Sequence, residues 1–500
     1  MFSKTYAASI HGIDALLVQV EADVNGGLPG LELVGFLACE LREAKERVRA
    51  AIHNTGIVLS PKKITVNLSP ADVRKEGTSF DLAIAVAILT ASGQLSEKSI
   101  RQTMFAGELS LDGSLNPVNG ILPIACCAKE NGIKTLIVPA KNRVEAALVE
   151  GICVVGCKSL SEVIFFLSGG KLLQKDEKIP AEKEEIKLPD FSEICGQKAA
   201  KRAIEIAVSG GHNLLFTGSP GSGKTMLAKR IPSIMPELTK EESLKLSKIY
   251  SVSGRMTGKG LIKERPFLAP HHSITASAMA GGGKHPKPGE ISLATYGVLF
   301  LDELPEFERH TVELLRQPLE EREITVNRVA DRCDYPASFM FVAAMNPCPC
   351  GAYPDRKKCR CSEVQIRRYQ GKISRAILDR IDLFLQIAPV RYEELTGKKE
   401  EESSAAIRAR VIAARQIQKE RYAGLGIMTN AELSASELAR FCALNASGEE
   451  VLKEAFFRYN LSARAYHRII KVARTIADMD GEKEIGEEHL YEAIGYRNFV

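Results

Sequence analysis

Long hydrophobic runs are missing from this 500-residue chain: no stretch of about 18 apolar residues occurs, and no membrane-spanning helix is expected. The opening Met1-Phe2-Ser3-Lys4-Thr5-Tyr6 lacks the apolar core of a signal peptide, so a cytoplasmic protein is expected. Strong charge of either sign is missing too. Lys plus Arg total 67 against 62 Asp plus Glu, a net +5 that permits nucleic-acid binding without arguing for it. Paired C-x-x-C motifs are absent, although the chain holds 12 cysteines. In a long cytosolic chain these are thiols or metal ligands rather than a disulfide framework. The apolar fraction of 45% is ordinary for a folded protein, and the length suggests roughly three domains of ~150 residues.

What is present centres on Gly218-Ser219-Pro220-Gly221-Ser222-Gly223-Lys224-Thr225, which fits the phosphate-binding pattern G-x-x-x-x-G-K-[ST]. The apolar Asn213-Leu-Leu-Phe-Thr217 leads in as a strand, and Met226-Leu-Ala-Lys-Arg230 leaves as a helix. Backbone N–H groups of such a turn, with the positive helix end, form an anion cradle. Lys224 would reach the β- and γ-phosphates of ATP, and the Thr225 hydroxyl would hold Mg²⁺.

A second motif, Gly297-Val-Leu-Phe-Leu-Asp302-Glu303, reads as a fully buried parallel strand ending in two carboxylates. Ligands bind at that end of α/β sheets. Asp302 would hold Mg²⁺, and Glu303 would orient and deprotonate the attacking water. Phe339 to Asn346 is another buried strand, and Asn346 is placed to sense the γ-phosphate. Cys348, Cys350, Cys359 and Cys361 follow as two C-x-C pairs across one short loop. Four thiolates there can close a structural Zn²⁺ site; four reduced thiols in a loop are the alternative.

In chain order, residues 1 to 168 read as one α/β unit. Its expected elements include a strand at 16–21, a helix at 40–53 with Leu41, Ala44, Val48 and Ala51 on one face, and a strand at 64–68. A helix at 81–91 follows, with Ser79 as its N-cap. Residues 169–188 mix Lys and Glu with Pro and read as a linker. Residues 189–395 carry the nucleotide motifs, with a helix expected from Glu308 to Glu320. Two hairpins lie among them, one tipped by Lys284 and Lys287, the other carrying Arg328 and Arg332. Residues 396–500 are helical. Arg464 falls in the first turn of a helix capped by Ser462, where a cation opposes the helix dipole. The γ-phosphate would compensate it, making Arg464 the lid's sensor.

Two resemblances follow. Gly107-Glu-Leu-Ser-Leu-Asp-Gly113, Gly120-Ile-Leu-Pro-Ile124 and Gly132-Ile-Lys-Thr-Leu-Ile-Val-Pro139 are similar to the Lon-type (S5-type, α+β) protease domain. Ser79 matches its nucleophile in kind, but the segment for the partner lysine reads Gly120-Ile-Leu-Pro-Ile124. A serine without a base is a poor nucleophile, so the fold without the peptidase is expected.

The whole chain resembles the ComM/YifB family of magnesium-chelatase-like AAA+ proteins. Pro266-Phe-Leu-Ala-Pro-His-His272, Pro288-Gly-Glu-Ile-Ser-Leu-Ala294, Leu315-Arg-Gln-Pro-Leu-Glu320, Met345-Asn-Pro-Cys-Pro-Cys-Gly351, Leu378-Asp-Arg-Ile-Asp382 and Leu461-Ser-Ala-Arg464 carry the likeness. It departs from the family at Ser374-Arg-Ala-Ile-Leu-Asp-Arg380, where the family usually has Ser-Gly-Pro-Leu-Leu-Asp-Arg, and at Leu268, where an Arg is common. The resemblance implies an α/β fold: a P-loop parallel sheet with a C-terminal helical lid, behind the Lon-like domain. It further implies a homohexameric ATP-driven DNA motor acting in branch migration during recombination or natural transformation. Arg380 would then be a finger acting in trans on the neighbour's nucleotide. A chelatase motor subunit and an ATP-dependent Lon-like protease are the alternative functions.

Overall fold

The computed structural model describes residues 1–500 except 73, 173–187, 257–259, 284–286, 328–331, 390–400 and 498–500. Lys284 and Arg328 therefore lie outside the described residues. Among those described, no helix is long and apolar enough to cross a membrane.

The N-terminal part is built on a seven-stranded mixed sheet. Its strands are β1 (Phe2–His11), β2 (Asp14–Asn25), β3 (Gly30–Val34), β4 (Lys63–Ser69), β5 (Thr103–Phe105), β6 (Thr135–Pro139) and β7 (Cys153–Cys157), in the order β3-β4-β2-β1-β5-β6-β7. Alternation decides the faces: Val18, Val20 and Ala22 of β2 are buried, as are Ile64, Val66 and Leu68 of β4. Helix α1 (Cys39–Asn54) buries the stripe Leu41, Ala44, Val48 and Ala51. Helix α2 (Asp81–Ala91) is apolar all round and wholly buried.

The start of α2 differs from the sequence expectation. Its N-cap is Phe80, with no side-chain cap, so Ser79 does not cap it. The first-turn acid Asp81 is instead gripped by Arg47, which donates through Nε and Nη2 at 2.9 and 3.0 Å. Burial pushes the Asp81 carboxyl upward, against the guanidinium that favours its charged form.

Helix α3 (Ile121–Glu130) begins where the Lon-type lysine would fall, and Ile124 is fully buried there. Helix α4 (Lys198–Gly210) then opens the second body. This body holds a five-stranded parallel sheet of β8 (Leu214–Gly218), β9 (Phe267–Leu268), β10 (Val298–Leu301), β11 (Met340–Met345) and β12 (Leu383–Ile387). Their order is β9-β10-β11-β8-β12. Every residue of β10 and β11 is buried, which is why both read as unbroken apolar runs.

Short α5 (Lys224–Ala228) leaves the phosphate loop, and α6 (Lys240–Ser253) reaches back to the N-terminal part. The Ser251 carbonyl accepts from Gly120 N–H at 3.0 Å, the Ser251 hydroxyl donates to the buried carboxyl of Glu145, and Lys248 pairs with Asp14 at 2.8 Å. Helix α7 (Glu363–Gln370) follows the cysteine loop. Helices α8 (Ser404–Arg421) and α9 (Ala463–Asp480) close the lid, sharing one core with α4.

The single helix expected from Glu308 to Glu320 is three short pieces: Arg309–Glu313, a 3-10 turn Leu314–Arg316, and Pro318–Glu321. Pro318 has no N–H to continue the ladder, and its ring crowds the preceding turn. The apolar spacing of Val312, Leu315 and Leu319 survives the break, and all three are buried.

Candidate nucleotide site

The phosphate loop bridges β8 and α5. Gly221 and Gly223 adopt φ of 76° and 90°, backbone that a side chain would strain. Gly218 is needed for proximity: a Cβ there would meet the Ile387 carbonyl at 2.7 Å. Lys224 is buried and folded back over the loop. Its Nζ donates to the Gly218 and Ser219 carbonyls at 2.7 and 2.9 Å and to Asn346 Oδ1 at 3.3 Å. Burial pulls the Lys224 ammonium below the usual lysine range, while Asp302 and Glu303 oppose that shift. The Ser222 hydroxyl is buried with no hydrogen-bond partner. Its Oγ stands beside Gly218, 2.9 Å from where a Cβ on that residue would lie.

The carboxylates stand where the sheet order predicts. Strand β10 runs parallel to β11, and β11 to β8, so the end of β10 faces the same edge as the phosphate loop. Thr225 Oγ1 donates to Asp302 Oδ2 at 2.6 Å, which brings the two expected Mg²⁺ ligands together. Asn346, just past β11, joins them through Lys224. Glu303 has φ of 53°, a left-handed conformation uncommon for a residue with a side chain. Its N–H donates to Asp302 Oδ1 at 3.0 Å and its carbonyl accepts from Glu306 N–H at 2.8 Å, which hold the turn. The Glu303 side chain faces a cleft of about 530 Å³ that Asn346, Arg368 and Lys372 also line. Arg368 and Lys372 were missed in the sequence. The available signal was Ser362-x-x-Gln365, a capping box that starts α7 directly after the second cysteine pair.

The cysteines converge. The Sγ atoms of Cys348, Cys350 and Cys359 lie 3.4, 3.7 and 3.6 Å apart, and all four thiols of the set, with Cys361, fall within 4.8 Å of one another. A tetrahedral ion with ~2.3 Å metal–sulfur bonds needs sulfur separations near ~3.8 Å, so the set fits a metal. The same loop leans on the phosphate loop: a Cβ on Gly351 would lie 2.4 Å from Pro220 Cδ.

The two arginines assigned to the γ-phosphate stand elsewhere. Arg380 precedes β12, and β12 runs parallel to β8 with Leu383 beside Leu214 and Ile387 beside Gly218. Arg380 therefore lies beyond the N-terminal edge of the sheet, at least four residues or roughly 13 Å from its own phosphate loop. Its carbonyl accepts from Asn213 Nδ2 at 2.9 Å, on the residue before β8. Arg464 is at the same edge rather than over the chain's own nucleotide site, a correction to its reading as a lid sensor. Its guanidinium is 3.7 Å from Glu320, which also takes Arg380 Nη2 at 2.6 Å. One turn on, Arg468 pairs with the buried Asp382. Burial raises the Asp382 carboxyl, but Arg468, His212 and the Asn213 N–H outweigh it and hold it at about 2.

Of the basic hairpin residues, Lys287 and Arg332 are described and exposed. Gly281–Gly282 pairs antiparallel with Lys287–Pro288, and Glu323–Asn327 with Arg332–Pro336.

Comparison with known proteins places this geometry. A family profile described as "Magnesium chelatase, subunit ChlI" matches residues 190–395, "Subunit ChlI of Mg-chelatase" matches 20–142, and the ChlI C-terminal profile matches 401–497. The chain is 43% identical to "Competence protein ComM" of Haemophilus influenzae, over 99% of this chain and 97% of the relative. It is also 43% identical to "Uncharacterized protein YifB" of Escherichia coli, over 97% and 95%. A shorter likeness, 30% over 24% of the chain and 21% of the relative, is to "Lon protease 2" of Bacillus subtilis.

Proposed function

This chain belongs to the ComM/YifB family of magnesium-chelatase-like AAA+ ATPases, and we propose that its ATP hydrolysis drives DNA through a ring of identical subunits, a homohexamer that promotes branch migration. The placement of Arg380 and Arg464 carries the reading of a ring. Both sit at the sheet edge away from the chain's own phosphate loop, so any nucleotide they serve belongs to an adjacent copy. A head-to-tail interface of that kind generates a ring when its rotation closes.

Within one subunit, loop amides and Lys224 bind the β- and γ-phosphates, and Thr225 with Asp302 holds Mg²⁺. The metal neutralises charge on the phosphates when bound. Glu303 orients the attacking water and takes its proton, and Asn346 fixes that water against the γ-phosphate. Arg380 and Arg464 of the next subunit stabilise the charge that develops.

DNA as the track is supported by the two hairpins, whose bases share one core through Ile291, Ile324 and Tyr335. A shift of the nucleotide-bearing sheet therefore moves both. Exposed Lys287 and Arg332 suit sequence-independent phosphate contacts. The relative's name as a competence protein agrees. In a DNA-stimulated ATPase assay with forked, three-stranded and linear substrates, wild type should be stimulated. Lys287→Ala combined with Arg332→Ala should cut that stimulation about tenfold and flatten its salt dependence. Wild-type turnover indifferent to every DNA, with no strand displacement, would sink this reading.

The front unit is proposed as a scaffold, not a peptidase. The segment Gly120-Ile-Leu-Pro-Ile124, where the dyad lysine would fall, is buried and holds no lysine, and the buried Lys75 donates to the Pro70 carbonyl. The cysteine set is proposed to hold a structural Zn²⁺, since four thiolates leave no open position. Elemental analysis should find one zinc per chain, lost in Cys348→Ser together with several degrees of melting temperature. Because Gly351 abuts Pro220, zinc loss should also weaken ATP binding.

A further inference from the structure

One carboxylate ties the two trans arginines together. Glu320 Oε1 is 2.6 Å from Arg380 Nη2 and 3.7 Å from Arg464 Nη2. The two guanidiniums thus stand a few ångström apart and would repel each other without an anion between them. Arg380 is nearly buried, its side chain 4% exposed, and is fixed from three sides: Nε donates to the Arg316 carbonyl at 3.1 Å, Nη1 donates to the Ala376 carbonyl at 2.7 Å, and Nη2 forms an ion pair with Glu320. A guanidinium has five N–H donors in a fixed fork, so these three contacts set its orientation. Arg464 is the opposite kind of group, 59% exposed and in the first turn of α9, where the helix dipole disfavours a cation. Glu320 supplies the anion that this position needs, and at 44% exposure it opens to the same surface.

We propose that Glu320 is a positioning residue: it bridges Arg380 and Arg464 into a single two-pronged face for the γ-phosphate of the adjacent subunit's ATP. The inference rests on the ring reading above. Glu320 does not touch the nucleotide. It acts by setting the spacing and direction of the two cations before the subunits meet, so that little reorganisation is left for the reaction. The break at Pro318 places it: the short Pro318–Glu321 helix ends at Arg322, whose left-handed φ of 59° turns the chain into the hairpin strand Glu323–Asn327. The same turn thus joins the arginine bridge to a hairpin carrying Arg332.

The test is steady-state ATPase at a protein concentration where wild type is assembled, with assembly checked by light scattering. Glu320→Ala should lower kcat at least about tenfold while KM for ATP stays within about twofold, because its own phosphate loop is intact. Glu320→Gln keeps an acceptor for Arg380 but not the charge between the arginines, and should fall between. The decisive arm is a double-mutant cycle. In an Arg380→Ala background, Glu320→Ala should cost little more, since a residue acting through Arg380 has nothing left to position. Additive losses would overturn the proposal, and so would an unchanged kcat. A raised kcat would overturn it as well, since it would make Glu320 a clasp that holds the arginines away from the neighbour. Failure of wild type itself to show assembly-dependent ATPase would remove the ring reading instead, and so the two failures are distinguishable.

Discussion

Glu303→Gln should leave the protein able to bind ATP and unable to turn it over, with single-turnover hydrolysis down by about 10²–10⁴-fold, the usual contribution of a positioned base. The amide is nearly isosteric and keeps an oxygen toward the water, but it cannot take a proton. Binding should survive because the groups that grip phosphate are elsewhere: Lys224 and the loop amides lie on the β8–α5 turn, and Thr225 is joined to Asp302 rather than to Glu303. The measurement is nucleotide retained through gel filtration beside phosphate released. Lys224→Ala should show the contrary pattern, with no retained nucleotide. Hydrolysis by Glu303→Gln within a few fold of wild type would remove Glu303 from the role of base.

The backbone at Glu303 strengthens this expectation. A left-handed φ on a residue with a side chain costs of order 1–3 kcal/mol and persists only where the surroundings fix it. Here the preceding strand β10 is wholly buried, and the Asp302 carboxylate and the Glu306 N–H tie down both ends of the residue. The strained turn directs the Glu303 side chain into the cleft beside Asn346, while Asp302 stays against Thr225. Two adjacent carboxylates thereby face different partners, as separate metal-holding and water-activating roles require.

Much of this was legible in the sequence because it depends on short-range rules. The phosphate loop, the runs at 298–301 and 340–345, and the cysteine pairs each declare themselves through local spacing. The parallel order then brings them to one edge. The family likeness added the parallel sheet, and the structure supplied its strand order. Arg464 resisted for the opposite reason. Whether Arg464 faces its own nucleotide or a neighbour's is decided by how α9 crosses the sheet, and no periodicity encodes that. The contact with Glu320 joins residues from three separate segments, which neither spacing nor composition brings together. The break at Pro318 was visible, yet the regular spacing of Val312, Leu315 and Leu319 outweighed it. A chain of short helical pieces can keep the same apolar face as one helix.

Arg380→Ala should lower kcat by about 10³–10⁵-fold with ATP affinity retained, the range an arginine finger supplies in related hydrolases. Placement makes the prediction sharper than the magnitude does. Arg380 lies beyond the N-terminal edge of β12, and the phosphate loop lies at the other end of β8, its neighbour in the sheet. One chain cannot bring the two together without dismantling the sheet. The loss must then be repairable from outside. Arg380→Ala keeps a sound phosphate loop and a dead arginine face; Lys224→Ala has the reverse. Mixed and reassembled, about one junction in four of a head-to-tail ring would join a sound loop to a sound arginine, and activity should reappear from two inactive proteins. Arg464→Ala should be rescued by the same partner, because Glu320 holds it on the same face. Arg380→Ala mixed with Arg464→Ala should stay weak, because every junction then lacks one prong. Because Arg380 also donates to the Arg316 and Ala376 carbonyls, its removal could loosen the fold, and the mixing experiment separates that from a lost finger. A merely unfolded chain would restore nothing to its partner. Absence of rescue, with both variants folded and assembled, would return Arg380 to a structural role.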